Sequence, residues 1–566
     1  KPRFVIGLAG GSLPILVIVV ATVFVIATQL PTTLFNYHDD FHKYLVRPFR
    51  MLQTGTLAGG PFDQVGLDSV GSQSFLHSFI LARFPIAYTN GFDPVFAFLV
   101  GGLLINDIGR RAGVHWLFRT VAALVFVVIN PQYVNVSALY SGTMMILGLM
   151  YASFLLVEAR DAPDWATSLK AAVPFGLILA ALLGLKVTFM PFAGMYAAIF
   201  FLVVLVFASR RGRVVGLALV SAATALVSFG PWLVLSYNNY VSLTYRVVVK
   251  SLAETATDER IKLLPRGFQD LFSTTELYYG GSYYDYNVLA VLTAIVGLLC
   301  AVRLVGSRAE DRNLDLAVAF AACAAVTISY FVSAYLVFAP LAIRYACPLL
   351  IAVLPAATLV LARERMSAAS AAGPGTVQKP SLAAVLLMGL ALAIGLFTDI
   401  ALNRVRLAQN YRTMLSFRFG EQYQEYTAAA LGEESRERTR KGQLATEEGE
   451  VIYAWIAQPY HLDFARNVIF TTPNPDWAIA VRGIDFDIGP EEFRARLAEF
   501  GVRYIMWEDK SFGMRSDESL RRDEQSVIYR LRGENTLSLK KMLIDLANAS
   551  KIVHNDGQIV VADISK

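Results

Sequence analysis

Long apolar runs recur through the first 402 residues, and they constrain this chain more than any motif does. They cover residues 4–30, 92–108, 115–131, 138–157, 169–186, 188–208, 214–236, 287–306, 314–338, 341–362 and 381–402. A helix of about 20 residues crosses the hydrocarbon core of a bilayer, so these runs predict about eleven membrane spans. The split between 169–186 and 188–208 is the shallowest, because only Lys186 to Thr188 interrupts it. The first run is longer than the apolar core of a signal peptide, and a retained membrane helix is expected there. The chain begins with Lys1, and further residues are expected to precede it.

Charge orients the spans. With the N-terminus inside, beside Lys1 and Arg3, the short inner loops are basic throughout. They hold Arg110, Arg111 and Arg119; Arg160 and Lys170; Arg210, Arg211 and Arg213; Arg303, Arg308 and Arg312; and Arg363, Arg365 and Lys379. This is the positive-inside pattern. An odd number of spans then leaves the C-terminal region outside, with two long outer loops, 31–91 and 236–286. The net charge of +5 is small for 566 residues and gives no reason to expect a nucleic-acid partner. The basic residues are accounted for as topology signals.

The charged residues crowd after Asn403, which predicts a change of solvent: a membrane domain over 1–402, then a soluble one over 403–566. Arg404 to Lys441 is polar and partly helical in pattern. Val451 to Ala457 and Val502 to Trp507 read as strands, and Glu491 to Phe500 between them as a helix with an acidic start. A small α/β domain follows. Ala368 to Gly375 is small and flexible, an inner linker. Cys300, Cys323 and Cys347 lie inside apolar runs with no CxxC or CxxH spacing, so they read as small buried hydrophobes.

The polar stretch Phe35 to Tyr44 stands at the mouth of the first span and contains His38, Asp39, Asp40, His42 and Lys43. Ionisable groups at a membrane boundary are costly unless solvated or used. A carboxylate here could act as a general base toward a hydroxyl, with the neighbouring cations tuning it; equally, the pair could be a solvated helix end. From Phe41 to Leu52 the apolar residues Phe41, Leu45, Phe49 and Leu52 recur at helical spacing, with Lys43, Arg47 and Arg50 between them. That pattern predicts an amphipathic helix along the membrane surface. A second, shorter candidate runs from Ser72 to Phe84. If the first helix starts near Asp39, that residue is its N-cap and Asp40 the free base.

Other polar residues sit at outer span ends. Lys186, in Gly-Leu-Lys-Val-Thr, could hold a lipid phosphate or merely snorkel. Arg344, at the outer end of the span 341–362, has five donors suited to phosphate, or it anchors the interface with Tyr345. The second outer loop crowds Tyr278, Tyr279, Tyr283, Tyr284 and Tyr286 around Gly280-Gly281. Such tyrosines stack on sugars or form an interfacial belt. The charged segment from Arg246 to Arg260 could close as a lid. His38 and His42, four apart, would share a helix face, but no third ligand accompanies them; no metal or other cofactor is expected.

Together these features resemble the GT-C membrane glycosyltransferases of bacteria, the broad group around the mannosyl- and aminoarabinosyl-transferases. Four elements carry the resemblance: Asp39-Asp40 after the first span; the amphipathic stretch Phe41 to Leu52; Arg344-Tyr345-Ala346-Cys347-Pro348 opening a late span; and an outer α/β cap with a strand like Phe500 to Trp507. The resemblance implies an α-helical polytopic protein of the inner (plasma) membrane with its active site and soluble α/β domain on the periplasmic side. It implies a sugar moved from a polyprenyl-phosphate donor to a glycan, lipid or protein acceptor. Asp40 or Asp39 would be the base, and Arg344 and Lys186 would hold the donor phosphate. His38, His42, Lys43, Tyr345, Tyr279, Tyr283 and Tyr284 would contact substrate. One departure is visible: the outer loop from Asn130 to Tyr140 carries no acid, where several relatives have one. A flippase for a lipid-linked saccharide and a polysaccharide polymerase or ligase are the competing readings. The nearly uncharged span centres count against an ion-coupled carrier.

Overall fold

A computed structural model describes residues 2–29, 41, 44–55, 71–129, 138–160, 162, 164–238, 284–307, 313–336, 340–363, 381–397, 432–471, 488–508 and 527–565. In chain order its helices are α1 (Pro2–Gln29), α2 (Val46–Thr54), α3 (Ser72–Leu81), α4 (Phe98–Arg111), α5 (Trp116–Val128), α6 (Tyr140–Ala159), α7 (Trp165–Leu185), α8 (Met190–Phe207), α9 (Arg211–Asn238), α10 (Tyr284–Val305), α11 (Asp315–Leu336), α12 (Pro340–Ala362) and α13 (Leu382–Phe397). The C-terminal part adds α14 (Glu433–Leu444), α15 (Pro490–Glu499) and α16 (Val527–Asn548), with β1 (Val451–Trp455), β2 (Val468–Thr471), β3 (Val502–Glu508), β4 (Lys551–Asn555) and β5 (Ile559–Asp563).

Among the described residues, five helical stretches are long and apolar enough to cross a membrane: Tyr140–Ala159, Trp165–Leu185, Met190–Phe207, Arg211–Trp232 and Val288–Val305. Shorter apolar segments cover Gly11–Phe24, Trp116–Val128, Asp315–Tyr330, Cys347–Ala362 and Leu382–Leu396. The shallow split is a real break: α7 stops at Leu185, a 3₁₀ turn spans Val187–Phe189, and α8 starts at Met190. In lipid, helices gain by close approach at small residues. At Gly176 an added Cβ would lie 2.5 Å from the Ser221 carbonyl oxygen, so α7 and α9 cross in near-backbone contact. The cysteines are free and buried, as their apolar setting predicts.

One end of the bundle is stapled by charge. Arg111 at the end of α4 meets Glu158 at the end of α6 (2.8 Å) and Asp315 at the start of α11 (3.7 Å). Arg363, just past α12, reaches Asp315 at 3.2 Å, and Arg303 near the end of α10 donates to the Leu361 carbonyl at 2.6 Å. These basic residues were read from the sequence as topology signals; they also fasten helix ends to one another. They set one face of the bundle, and the starts of α4 and α6 lie at the opposite face.

The C-terminal sheet has the order β2-β1-β3-β5-β4. β1 runs parallel to β2 and β3, while β5 is antiparallel to β3 and β4. Strand side chains alternate between faces, and here both faces are covered. Tyr453, Trp455, Ile505 and Trp507 pack with Phe493 and Leu497 of α15 and Leu539, Leu543 and Leu546 of α16. Ile452, Ala454, Tyr504, Met506 and Val561 pack on the other side with Phe41, Tyr44, Leu45 and Val46.

That second layer adds a partner to the first outer loop: the apolar residues Phe41, Leu45 and Phe49 pack under the C-terminal sheet, while Leu52 stays exposed. Phe41 and Leu45 are fully buried there, and Phe49 packs beside them. The physical reason is that a hydrophobic stripe is satisfied by any apolar surface, and the sheet offers one with fixed shape. The helix itself begins only at Val46, with Leu45 in the cap position and no side-chain cap. Asp39, expected as the N-cap, lies outside the described residues.

Candidate functional site

The face of the bundle away from the ion cluster carries a layer of buried polar side chains. α2 is pinned to the cap by specific bonds as well as by its apolar stripe. Arg50 Nη2 donates to the Ile469 carbonyl at 3.0 Å, and its guanidinium lies 4.8 Å from the Phe464 ring centroid. The Phe464 amide donates to Gln53 Oε1 at 2.7 Å. Phe41 and Phe49 flank Tyr460 at 5.3 and 6.1 Å between ring centroids. The cap thus holds the segment that directly follows Asp39-Asp40.

Lys186 sits beneath this contact. It follows the last residue of α7 in extended backbone, at the level where the helix leaves the bundle. It is 7% exposed, so it does not snorkel into bulk solvent. Its Nζ donates to the Tyr44 hydroxyl at 3.4 Å and lies 6.0 Å from that ring's centroid. Two residues earlier, Gly184 lets α3 approach: a Cβ there would stand 2.4 Å from Ser72 Oγ. α2, α3 and the α7–α8 turn therefore meet around Tyr44, Ser72 and Lys186.

α3 continues the polar layer. Gln73 Nε2 and His77 Nε2 are 2.9 Å apart, and Ser141 Oγ lies 3.0 Å from Gln73 Oε1. Ser141 also meets Asp93: its amide donates to Oδ1 at 2.8 Å and its hydroxyl to the same oxygen at 2.5 Å, while the Tyr140 amide donates to Oδ2 at 3.0 Å. His77 is fully buried, and that burial pulls its imidazole down to about 3, so the ring is neutral at physiological pH.

Asp93 is a residue that the sequence reading passed over. It stands in the turn Phe92–Ala97 that leads into α4 and is 2% exposed. Its carboxylate caps the start of α6, where orphan amides and the helix dipole favour a negative charge. The loop from Asn130 to Tyr140 has no acid of its own, and Asp93 brings one to its end from the neighbouring span. The signal was present: an aspartate at the mouth of an apolar run is the same criterion that singles out Asp39 and Asp40. Its bonds to two amides and a hydroxyl make it a positioning group for α6.

Arg344 and Tyr345 lie in the first turns of α12, ahead of Pro348, whose carbonyl accepts from Thr143 Oγ1 of α6 at 3.3 Å. The backbone of Arg344 thus enters at the same end as the polar layer; the side chains of Arg344 and Tyr345 lie outside those described. Tyr284 opens α10, and its side chain is likewise outside them. Asp39, Asp40, His38, His42, Lys43, Tyr278, Tyr279 and Tyr283 fall outside the described residues, as does the charged segment 246–260. Among the described residues no three His, Cys, Asp or Glu side chains come together as a metal site.

No family model matches the chain, and no curated protein matches its sequence. Several solved structures are similar in shape. The archaeal oligosaccharyltransferase AglB from Archaeoglobus fulgidus, in complex with an inhibitory peptide and a dolichol-phosphate, is 11% identical with a TM-score of 0.47, over 88% of this chain and 69% of that one. The Archaeoglobus fulgidus oligosaccharyltransferase in complex with zinc and sulfate gives 13% and 0.46, over 87% and 68%. Apo ArnT from Cupriavidus metallidurans gives 14% and 0.41, over 96% of this chain and 97% of that one. The likeness is one of overall shape.

Proposed function

We propose that this chain transfers a sugar from a polyprenyl-phosphate-linked donor to a hydroxyl of a glycan, lipid or protein acceptor in the cell envelope. The reaction takes place at the outer face of the inner membrane, with residues 1–402 as the catalytic membrane domain and 403–566 as its extracytoplasmic cap. The observation that carries this reading is the buried Lys186–Tyr44 contact under the cap, on the chain segment that directly follows Asp39-Asp40. A lipid-linked donor places its phosphate at the end of the membrane helices, which is where Lys186 stands. An acid pair joined to the same segment supplies the base.

The step is a single displacement. Asp40 takes the proton of the acceptor hydroxyl, with Asp39 as its neighbour. The acceptor oxygen bonds to the anomeric carbon from the face opposite the phosphate, and the sugar–oxygen bond to the phosphate breaks. The polyprenyl phosphate leaves with its electron pair, held by Lys186 and Arg344. Inversion at the anomeric carbon follows. His38, His42, Lys43 and Tyr345, with Tyr279, Tyr283 and Tyr284, are the side chains proposed to grip donor and acceptor.

The test is transfer from synthetic polyprenyl-phosphate sugars by the full chain in lipid nanodiscs. Asp40→Asn is expected to lower turnover by about 10²–10⁴-fold, the usual contribution of a general base, with unchanged thermal stability. Asp39→Asn is expected to do less. Unaltered turnover in Asp40→Asn would remove Asp40 as the base of this scheme, and no transfer by the native chain would favour a flippase.

A further inference from the structure

The short helix α3 is turned inside out. Its buried side chains are the polar ones, Gln73, Ser74, His77 and Ser78. Its aromatic side chains point the other way: Phe75 is 44% exposed and Phe79 61%, with their rings 4.9 Å apart, edge to face. A helix on a water-facing surface shows the reverse arrangement, an apolar stripe inward and polar residues outward. The inward face tolerates burial through hydrogen bonds. Gln73 Nε2 lies 2.9 Å from His77 Nε2, Gln73 Oε1 lies 3.0 Å from Ser141 Oγ, and the Ser78 hydroxyl donates to the Phe75 carbonyl at 2.6 Å. The outward face is left to whatever surrounds the protein.

That face continues beyond the helix. Phe84 just after α3, Tyr88 in the turn Ile86–Gly91 and Phe96 in the turn Phe92–Ala97 are each roughly half exposed. The Phe84 and Tyr88 rings stand 5.8 Å apart, and those of Phe92 and Phe96 5.7 Å. Single exposed apolar residues are ordinary, but a run of them marks a contact surface. Its neighbours say what the contact is. α3 abuts the end of α7, where Gly184 stands against Ser72, and the turn Phe92–Ala97 packs against α1 and leads into α4. α7 is long and apolar enough to cross a membrane and leaves Leu177 outward; α1 leaves Val19, Val20 and Val23 outward. The aromatic face therefore joins the apolar surface of the spans. α3 itself contains no Asp, Glu, Lys or Arg. A helix lying on a membrane turns a charged face to water, and α3 has none to turn.

We propose that α3 and the two turns after it are seated in the bilayer, with Phe75, Phe79, Phe84, Tyr88 and Phe96 against the acyl chains of the leaflet in which α7 ends. The partner is a lipid surface. The sequence pattern led to a helix resting on the membrane with its polar side to water; the fold gives that polar side to the protein instead. α3 becomes a wall one helix thick, with lipid on its aromatic side and the layer of Gln73, His77, Ser141 and Asp93 on the other. Its seat in the lipid holds Gln73 where it reaches Ser141, and Ser72 where it meets Gly184. The contact is independent of any transfer reaction.

The experiment reads the surroundings of one side chain. Phe79→Cys in the full chain is labelled with a nitroxide in lipid nanodiscs. Electron paramagnetic resonance then compares its collisions with molecular oxygen, which concentrates in lipid, and with a nickel chelate, which stays in water. The three native cysteines are buried, and the unsubstituted chain carried through the same labelling gives the background. Leu444→Cys, at an exposed position of α14 in the C-terminal domain, is the reference for water. The Phe79 label is expected to give an oxygen-to-nickel collision ratio several-fold above that of the Leu444 label. Equal ratios would place α3 in water and overturn the proposal. Few collisions with either reagent would mean that protein covers the face, which also overturns it; dipolar broadening in nanodiscs holding two copies would then identify the cover as a second copy of this chain. Should Phe79→Cys fail to fold, Phe96→Cys, on the turn rather than the helix, is read in the same way.

Discussion

The packing of the first outer loop against the C-terminal sheet makes a quantitative prediction about the pair Phe41 and Tyr460. Phe41 is fully buried and Tyr460 is 2% exposed, with ring centroids 5.3 Å apart and planes inclined at 60°. Emptying a buried aromatic site costs about 3–5 kcal/mol, combining lost burial with the cavity left behind. The tilted ring pair adds about 0.5–1.5 kcal/mol that exists only while both rings are present. Phe41→Ala and Tyr460→Ala should each destabilise the cap by a few kcal/mol. The double substitution should cost less than the sum of the singles by about 1 kcal/mol. Hydrogen exchange of the β1 and β3 amides in nanodiscs reads this directly, because those strands form the floor of the contact. A helix lying in the lipid interface gives a different result: Phe41→Ala would leave β1 and β3 protection unchanged, and the effects would add to within about 0.3–0.5 kcal/mol. That additivity would refute the docking argument.

Two further expectations follow from single residues. His461, its ring tilted against that of Tyr460 at 4.4 Å between centroids, is pushed down to about 4 by burial, with the nearby Arg436 charge adding to the effect. Its folded value lies below the ordinary 6.5 of the unfolded chain, so the unfolded state takes up the proton first. Stability from this group is full above about pH 6.5 and falls as pH drops toward about 4, by at most about 3 kcal/mol; His461→Gln should flatten that part of the native protein's pH–stability curve. At the α3–α7 crossing, Gly184→Ala forces a Cβ to 2.4 Å from Ser72 Oγ and should cost about 1–3 kcal/mol by overpacking. Adding Ser72→Ala removes the clashing oxygen and should recover most of the lost melting temperature.

What the sequence made legible was whatever depends on local pattern. The break at Lys186 to Thr188, the strands beginning at Val451 and Val502, and the helix before Phe500 all follow from periodicity and punctuation, and each appears in the fold. The hairpin of β4 and β5 was equally local: Asn555-Asp556-Gly557 carries a turn, and Gly557 adopts φ +87°, a backbone state glycine tolerates. It went unread because the flanking runs are short. The partner of the amphipathic stripe was not local. Phe41, Leu45 and Phe49 announce a face to be covered, but a membrane and a protein sheet cover it equally well in any pattern count. The sheet that does so lies about four hundred residues later, as the Arg50 bond to Ile469 shows. Asp93 was missed for a related reason: its value lies in the amides of Tyr140 and Ser141, which only packing brings to it.

The docking has a consequence for where a base can stand. In the sequence Asp40 directly precedes Phe41, which is fully buried. A general base works only when held within a few tenths of an ångström of its proton, and a free loop on a membrane surface does not hold a carboxylate that closely. Here the anchor is a ring packed between Tyr460 and the floor of β1 and β3, with Arg50 and Gln53 further along the segment bonded to the cap. Under the proposed scheme the C-terminal domain therefore contributes to the site without supplying a reacting group. It holds the segment of Phe41, Tyr44 and Arg47, and under the proposed scheme loosening it should lower turnover more than it lowers binding of the lipid phosphate.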